Sequence, residues 1–373
     1  MAPSAFFTEL LHHMVERDAS DIYLTHGIPP MFRIEGNVEP FGSHVMSGDE
    51  TRAISSEIMN DRQRKIFDES HEMNVALHFP DLGRFRVNIF LQRGYVGIVV
   101  RQIKIILKTV DDLGLPGIIK DIVMSKRGLV LVVGSTGSGK STTLAAMLDH
   151  RNENRSGHII TIEDPIEFIH PHKKSVVTQR EVGFDTYSFY NALKNTLRQA
   201  PDVILIGEIR DTETMEDAII FAETGHLCLG TLHSNNANQA LERILNFFPV
   251  ERHLQIYMQL SLNLKAVISQ RLVPALDGKR TAAVEILLDT PRVKDLILKG
   301  EIGLLKETMA LSQEEGMQTF DQHLYDLYQA GKIDYDAAIS YADSPNDLRI
   351  RIKVSGAKKV EQSRPLRLRT DER

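Results

Sequence analysis
Leu129-Val-Leu-Val-Val-Gly134-Ser-Thr-Gly-Ser-Gly-Lys140-Ser141-Thr142 decides how this chain is read: an apolar run enters a glycine-rich loop, and a helical pattern continues to His150. The loop is a full G-x-x-x-x-G-K-[ST], set between a strand and a helix as its chemistry requires. Its glycines let the backbone of Gly134, Ser135, Thr136, Gly137, Ser138 and Gly139 wrap close to phosphate oxygens. Successive N–H groups and the helix start at Lys140, Ser141 and Thr142 supply positive potential. Lys140 is suited to bridge the terminal phosphates, and the Ser141 hydroxyl to ligate Mg²⁺. The expectation is a nucleoside triphosphate site.

Downstream, apolar strands at Leu129 to Val133, His158 to Ile162, Val203 to Ile206 and Leu227 to Leu229 alternate with helical stretches. That is the pattern of a buried, mainly parallel sheet. The C-terminal part reads as mostly helical, for example Glu251 to Gln270 and Met317 to Ala330.

A phosphate cradle binds without hydrolysing. Hydrolysis needs one carboxylate to orient water and another to hold the shell of the metal. Ligand sites in open α/β sheets lie at the carboxyl ends of strands, and two acids fall there. Glu163 follows His158-Ile-Ile-Thr-Ile162, and Glu208 follows Val203-Ile-Leu-Ile-Gly207. One such acid alone is ordinarily a helix cap or a solvated charge; two downstream of a cradle point to catalysis. Gly207 stands where many nucleotide-binding folds put a metal-holding Asp. Glu208 is therefore expected to act on Mg²⁺ through its waters and Glu163 to polarise the attacking water, or the two roles are exchanged. His226 and His233 frame a further predicted strand, and His233 is the candidate to report a γ-phosphate by hydrogen bonding.

Upstream of the loop the texture differs. Phe7, Leu10, Leu11 and Met14 fall at helical spacing, and short alternating segments follow at Asp21 to Leu24 and Phe32 to Ile34. Gly48 to Glu69 reads as helical, and Glu72 to Phe79, Arg84 to Gln92 and Val96 to Ile103 as strands. Residues 1–103 are thus expected to form a small α+β domain on an antiparallel sheet, with 104–115 as linker and 116–345 as the second domain. Arg84 and Arg86 alternate with Phe85, Val87 and Ile89, and Arg93 and Arg101 extend this basic content. A basic strand face is commonly just solvated; it could also reach a γ-phosphate held by a neighbouring subunit and neutralise charge in the transition state.

Composition bounds the rest. The chain has 373 residues, 42% apolar and 25% charged, which fits two or three globular domains and excludes wholesale disorder. A single cysteine, Cys228, excludes an intramolecular disulfide framework and any multi-cysteine zinc module. No apolar run approaches the roughly 18–20 residues of a membrane-spanning helix, and no secretory signal is read, so a cytoplasmic protein is expected. A net charge of −6 argues against a nucleic-acid partner. Asp347 to Arg373 carries nine basic against four acidic residues, so 346–373 is read as a basic, flexible tail.

These residues together resemble the hexameric motor ATPases of bacterial secretion and type IV pili. Gly134 to Ser141 is similar to the Walker A segment of that family, Ile162 to Glu167 to its acidic box, Gly207 to Asp211 to its Walker B segment, and Thr224 to Asn235 to its histidine box. The short N-terminal domain and Gly316-Met-Gln-Thr-Phe-Asp-Gln-His323 resemble the pilus retraction, or twitching motility, ATPases. Val293-Lys-Asp-Leu-Ile-Leu-Lys299-Gly300 departs from the helical signature of the main retraction ATPases and resembles the accessory branch instead.

The resemblance implies an N-terminal PAS-like α+β domain followed by a RecA-like P-loop ATPase domain with C-terminal helices. It implies ATP with Mg²⁺, a homo-oligomeric ring of six, Glu163 as catalytic base, Glu208 as the Walker B acid, and Arg86 and Arg101 as arginine fingers. The implied partners are a second retraction ATPase and a pilus platform protein, at the cytoplasmic face of the inner membrane. The implied function is ATP-driven pilus retraction, or alternatively an accessory role in which the chain docks on a partner retraction ATPase and strengthens it.

Overall fold
The computed structural model describes residues 5–34, 36–79, 81–103 and 107–354. The chain forms a mixed α/β structure of two units: Met1–Ile106 with Ile166–Ile169, and Leu107–Pro165 with His170–Arg373.

The first unit carries a six-stranded antiparallel sheet. Its strands are β1 (Asp21–Leu24), β2 (Met31–Ile34), β3 (Asn37–Pro40), β4 (Glu72–Phe79), β5 (Gly83–Gln92) and β6 (Tyr95–Ile103), in the order β3-β2-β1-β6-β5-β4. Phe7, Leu10, Leu11 and Met14 of the opening helix, Ala5–Glu16, are fully buried and join Phe85, Val87 and Ile89 of β5 in one core. Strand alternation therefore puts Arg84 and Arg86 on the other face of β5. The helical stretch expected from residue 48 to 69 is two helices, Gly48–Ile58 and Asp61–Ser70. Asn60 breaks it: its side chain accepts the Gln63 N–H at 2.9 Å, while Gln63 accepts the Asn60 N–H at 2.9 Å. This reciprocal cap starts a new helix.

The second unit holds a seven-stranded sheet of β7 (Gly128–Val133), β8 (Gly157–Glu163), β9 (Ser175–Glu181), β10 (Val203–Ile206), β11 (Leu227–Leu232), β12 (Leu264–Pro274) and β13 (Arg280–Leu288). The order is β13-β12-β7-β11-β10-β8-β9, parallel throughout except for the antiparallel pair β12 and β13. Every residue of β7, β10 and β11 is buried, which is why β7, β10 and the start of β11 read as apolar runs.

Four expectations change here. Glu251 to Gln270 is not one helix: the helix His253–Asn263 ends where Leu264 enters β12. Ala266, Val267 and Ile268 are fully covered, and β12 pairs in parallel with β7, so tertiary pairing overrides helix propensity. The later helix is Phe320–Gln329 rather than Met317 to Ala330, because Thr319 caps it and Gln318 exchanges backbone bonds with Ile286. Residues 346–354 of the stretch read as a flexible tail lie in the helix Pro345–Val354, whose Leu348 and Ile352, one turn apart, are buried beside Phe320 and Leu324. Residues 355–373 lie outside the described residues. Residues 107–115, read as linker, fall in the second unit, with Val110 and Leu115 buried in its core.

Among the described residues no helix is long and apolar enough to cross a membrane. Val250, Leu254, Met258 and Leu262 recur every fourth residue along the helix His253–Asn263 and the turn before it, and all four are exposed.

Candidate active site
Parallel β7, β11, β10 and β8 lie side by side, so their carboxyl ends gather groups far apart in sequence: the glycine loop, His233, Glu208 and Glu163. The loop leaves β7 at Gly134 and feeds the helix Lys140–Asn154, whose first turn has no side-chain cap. Gly137 and Gly139 adopt φ of +75° and +90°, the left-handed region that side chains resist.

Gln270 of β12 forms the wall behind the loop. A Cβ on Gly134 would come within 2.5 Å of the Gln270 carbonyl oxygen, and one on Gly139 within 2.8 Å of Gln270 Nε2. The Thr143 hydroxyl donates to Gln270 Oε1 at 2.6 Å, tying the helix to that wall. Lys140 is 8% exposed, and its ammonium donates to the carbonyls of Gly134 and Ser135 at 2.9 Å each. Ser138 Oγ is buried with no hydrogen-bond partner among the described residues.

This donor set fits a polyphosphate: a buried ammonium, an uncapped helix start, an unsatisfied hydroxyl and glycines where a Cβ would intrude. For a divalent cation the nearby oxygen donors are the Ser141 hydroxyl and the two glutamates. No cluster of three or more metal-binding side chains exists among the described residues. Mg²⁺ ordinarily keeps several waters and takes phosphate oxygens rather than an all-protein cage.

Glu163 ends β8, where its Oε1 accepts from the Thr161 hydroxyl at 2.6 Å and from Gln179 Nε2 at 3.3 Å. Glu208 follows β10 on a segment pinned from both sides. The Gly207 N–H donates to Ile162 O at 2.8 Å, the Ile209 N–H to Thr231 O at 2.9 Å, and the Thr231 hydroxyl to Gly207 O at 2.6 Å. Gly207 is glycine for a steric reason, since an added Cβ would stand 3.1 Å from Glu163 Cα.

The Glu208 carboxylate is shared. Its Oε2 lies 2.7 Å from Arg210 Nη2 and its Oε1 3.2 Å from His233 Nε2. The hydrogen bond to Glu208 holds the Arg210 guanidinium above its ordinary pKa, and Arg210 also stands 3.9 Å from Asp164. Burial, and then the nearby Lys140 charge, push the His233 imidazole below its ordinary value. That direction favours the neutral imidazole, the form in which an Nε2–H can donate to Glu208. His226 is elsewhere: it precedes β11, with Nδ1 near Thr224 Oγ1 at 3.1 Å and Phe221 O at 3.2 Å, at the end of the helix Thr212–Glu223.

Arg86 and Arg101 belong to the first unit, where they are direct partners across β5 and β6. Arg101 Nε donates to Asp21 Oδ1 at 2.8 Å. Sequence reasoning passed over Gln270, Arg210, Thr161 and Gln179. The signal for Gln270 was present, a polar stretch Ser269-Gln270-Arg271 between apolar Ala266-Val267-Ile268 and Leu272-Val273, but it was hidden by the helical reading of that segment.

The family described as Type II/IV secretion system protein matches residues 4–326. The chain is 56% identical over 349 residues to the type IV pilus ATPase PilU of Pseudomonas aeruginosa, covering 93% of this chain and 91% of that one. It is 43% identical over 340 residues to the type IV pilus retraction ATPase PilT of the same organism, covering 91% and 99%. The crystal structure of the pilus retraction motor PilT with bound ADP superposes with a TM-score of 0.86 at 41% identity, covering 92% of this chain and 98% of that one.

Proposed function
We infer the work of this chain from one premise: it belongs to the family of Type II/IV secretion system proteins. Within that family it is a PilT/PilU-type pilus ATPase, an ATP-hydrolysing enzyme of pilus retraction and twitching motility. The observation that carries the reading is the loop itself, where buried Lys140 and left-handed Gly139 open a helix beside two glutamates.

We propose the following mechanism. Backbone N–H groups from Ser135 to Thr142 cradle the β- and γ-phosphates of ATP, and Lys140 exchanges its loop carbonyls for phosphate oxygens. When bound, Mg²⁺ neutralises charge on those oxygens; Ser141 would ligate it, and Glu208 would hold its waters. Glu163, oriented by Thr161 and Gln179, takes the proton of the attacking water. Water oxygen bonds to the γ-phosphorus, the bridging P–O bond breaks, and ADP leaves with that electron pair. His233 reports the outer phosphate through its link to Glu208.

Arg86 and Arg101 act in trans as arginine fingers in a ring of six, in which the first unit is a PAS-like domain and the second a RecA-like domain. A head-to-tail contact of this kind closes into a ring when its rotation permits. The work is done at the cytoplasmic face of the inner membrane, against a platform protein of the pilus.

A second reading is kept for one reason: the helix Pro291–Lys299 carries Lys294, Asp295 and Lys299 where the main retraction ATPases have a different signature. On that reading the chain docks on a partner retraction ATPase and strengthens it. ATP turnover by purified protein, with Lys140→Ala as control, tests the enzyme. A deletion strain separates the two roles: motor function requires that Lys140→Ala fail to restore twitching, whereas full rescue by that variant assigns docking.

A further inference from the structure
A cavity of about 330 Å³ opens beside the loop, lined by Ser135, His233, Ser234, Asn235, Gln239 and Arg243. It corresponds to on the order of ten water volumes of about 30 Å³ each, room for a small oxyanion with its nearest waters. Five of the six side chains have a donor to offer, the His233 Nε2–H being already given to Glu208, and none of the six is a carboxylate.

Gln239 and Arg243 stand one turn apart on the helix Ala237–Asn246 and so share a face. The Gln239 amide oxygen accepts the Asn235 N–H at 3.3 Å, so what remains to offer a ligand is its NH₂. Arg243 forms no ion pair among the described residues, and its guanidinium lies 5.9 Å from the centre of the Phe247 ring. Aromatic contact of that kind engages the face of the guanidinium and leaves its edge, the N–H fork, to bind. Ser234 Oγ is buried with no partner among the described residues. Lys140, Arg243 and Arg210 act on His233 against the single opposing carboxylate of Glu208, 3.2 Å away, so cations outnumber anions around it.

We propose that this cavity is a holding site for the inorganic phosphate cleaved from ATP, with Arg243 as its anchor and Gln239 and Ser234 as further donors. Ser135 belongs to both the cradle and the cavity, and His233 to both the cavity and the Glu208 cluster. A tetrahedral dianion leaving the outer end of the cradle is the ligand that an arginine fork with neutral donors recognises. Release of phosphate from Arg243, rather than cleavage, then sets the pace at which a subunit resets. The proposal rests on the ATPase reading of the loop.

The test uses the full-length protein and inorganic phosphate as probe. Steady-state Mg-ATP turnover is measured against added phosphate, and radiolabelled phosphate binding is measured by equilibrium dialysis with Mg-ADP present. Arg243→Ala is expected to weaken phosphate inhibition and phosphate binding by about tenfold or more, with ADP affinity changed less than about twofold. Arg243→Lys, which keeps the charge without the fork, falls between; Gln239→Met weakens phosphate by about threefold. Unchanged phosphate inhibition and binding in a folded Arg243→Ala protein overturns the proposal. Should that variant not fold, wild-type phosphate affinity in both the Lys and the Met variants overturns it instead. Dialysis separates this proposal from its premise. Saturable phosphate binding, weakened by these substitutions, in a protein that hydrolyses no ATP would sink the ATPase reading and support the site. ATP hydrolysis without saturable phosphate binding would do the reverse.

Discussion

Arg86 on β5 and Arg101 on β6 face each other as cross-strand partners, and Asp21 on β1 faces Arg101 from the other side. With Arg33 opposite Asp21 on β2, a single row crosses four strands with charges plus, minus, plus, plus. Like charges directly opposite destabilise a sheet, so the Arg86–Arg101 pairing does not itself add to its stability. Asp21, whose side chain is 5% exposed, offsets the repulsion by accepting from Arg101 Nε at 2.8 Å.

The two arginines should therefore separate in their effects. Arg101→Ala deprives buried Asp21 of its nearest cation and is expected to destabilise the protein by about 0.5–1 kcal/mol, whereas Arg86→Ala relieves repulsion and leaves the midpoint of thermal unfolding unchanged or raised. Both should lower ATP turnover by on the order of 10³-fold. Mixing Arg86→Ala protein with Lys140→Ala protein should restore part of the activity, because each supplies what the other lacks. Failure of every mixture to exceed the separate proteins would rule out action in trans.

Glu163→Gln and Glu208→Gln are expected to lower turnover by about 10²–10⁴-fold while nucleotide binding stays within a few-fold. The shapes are conserved, and Lys140 still engages the phosphates. Isothermal calorimetry with a slowly hydrolysed analogue, beside a phosphate-release assay, checks both halves. Normal turnover by Glu163→Gln would remove Glu163 as the base.

Stability should depend on pH through two buried groups of opposite sign. Glu285, 1% exposed, accepts from the Ala237 N–H at 2.8 Å and from the Ser269 hydroxyl at 3.1 Å, yet burial pushes its carboxyl up to about 7. Its folded value exceeds the ordinary 4.5, so its contribution is whole below about 4.5 and is lost as pH rises through about 7. His323, 8% exposed, accepts the Val284 N–H at Nδ1, and burial lowers it to about 4. Its contribution is whole above its ordinary 6.5 and is lost as pH falls through about 4. Each is worth on the order of 3 kcal/mol across its window. Denaturant unfolding across pH should show Glu285→Gln removing a fall in stability as pH rises from about 4.5 to 7, and His323→Gln removing one as pH falls from about 6.5 to 4. A Glu285→Gln curve parallel to wild type between pH 4.5 and 7 would contradict the assignment.

Gly139→Ala should weaken ATP binding, because φ is +90° and the added Cβ would displace Gln270 Nε2, 2.8 Å away, from the wall behind the loop. Adding Gln270→Ala removes the steric conflict but not the backbone strain, which costs about 1–2 kcal/mol. The double variant should recover binding only in part, read by calorimetry. Full recovery would mean that the conformation of the loop is not what Gly139 secures.

The cradle was legible because its function dictates its sequence: glycines, a lysine and a hydroxyl have few substitutes around a phosphate. Strands β7, β10 and β11 were legible because burial on both faces leaves them almost wholly apolar, Thr231 being the exception. The hidden part was β12, whose Lys265, Ser269 and Gln270 interrupt its apolar run and mimic a helical period. With β12 unseen, Gln270 had no place in the site. The partnership of Glu208 with Arg210 and His233 was hidden for a different reason, since it depends on which strands are neighbours. Arg86 and Arg101 were visible as basic residues, but their shared register with Asp21 was not.

The exposed row of Val250, Leu254, Met258 and Leu262 has a bench corollary. No charged residue falls within the helix His253–Asn263 to keep like molecules apart there. Contiguous greasy surface of this kind promotes colloidal crowding in concentrated stocks. Leu254→Glu is the simplest remedy for cloudy preparations, and light scattering before and after concentration would report whether it works.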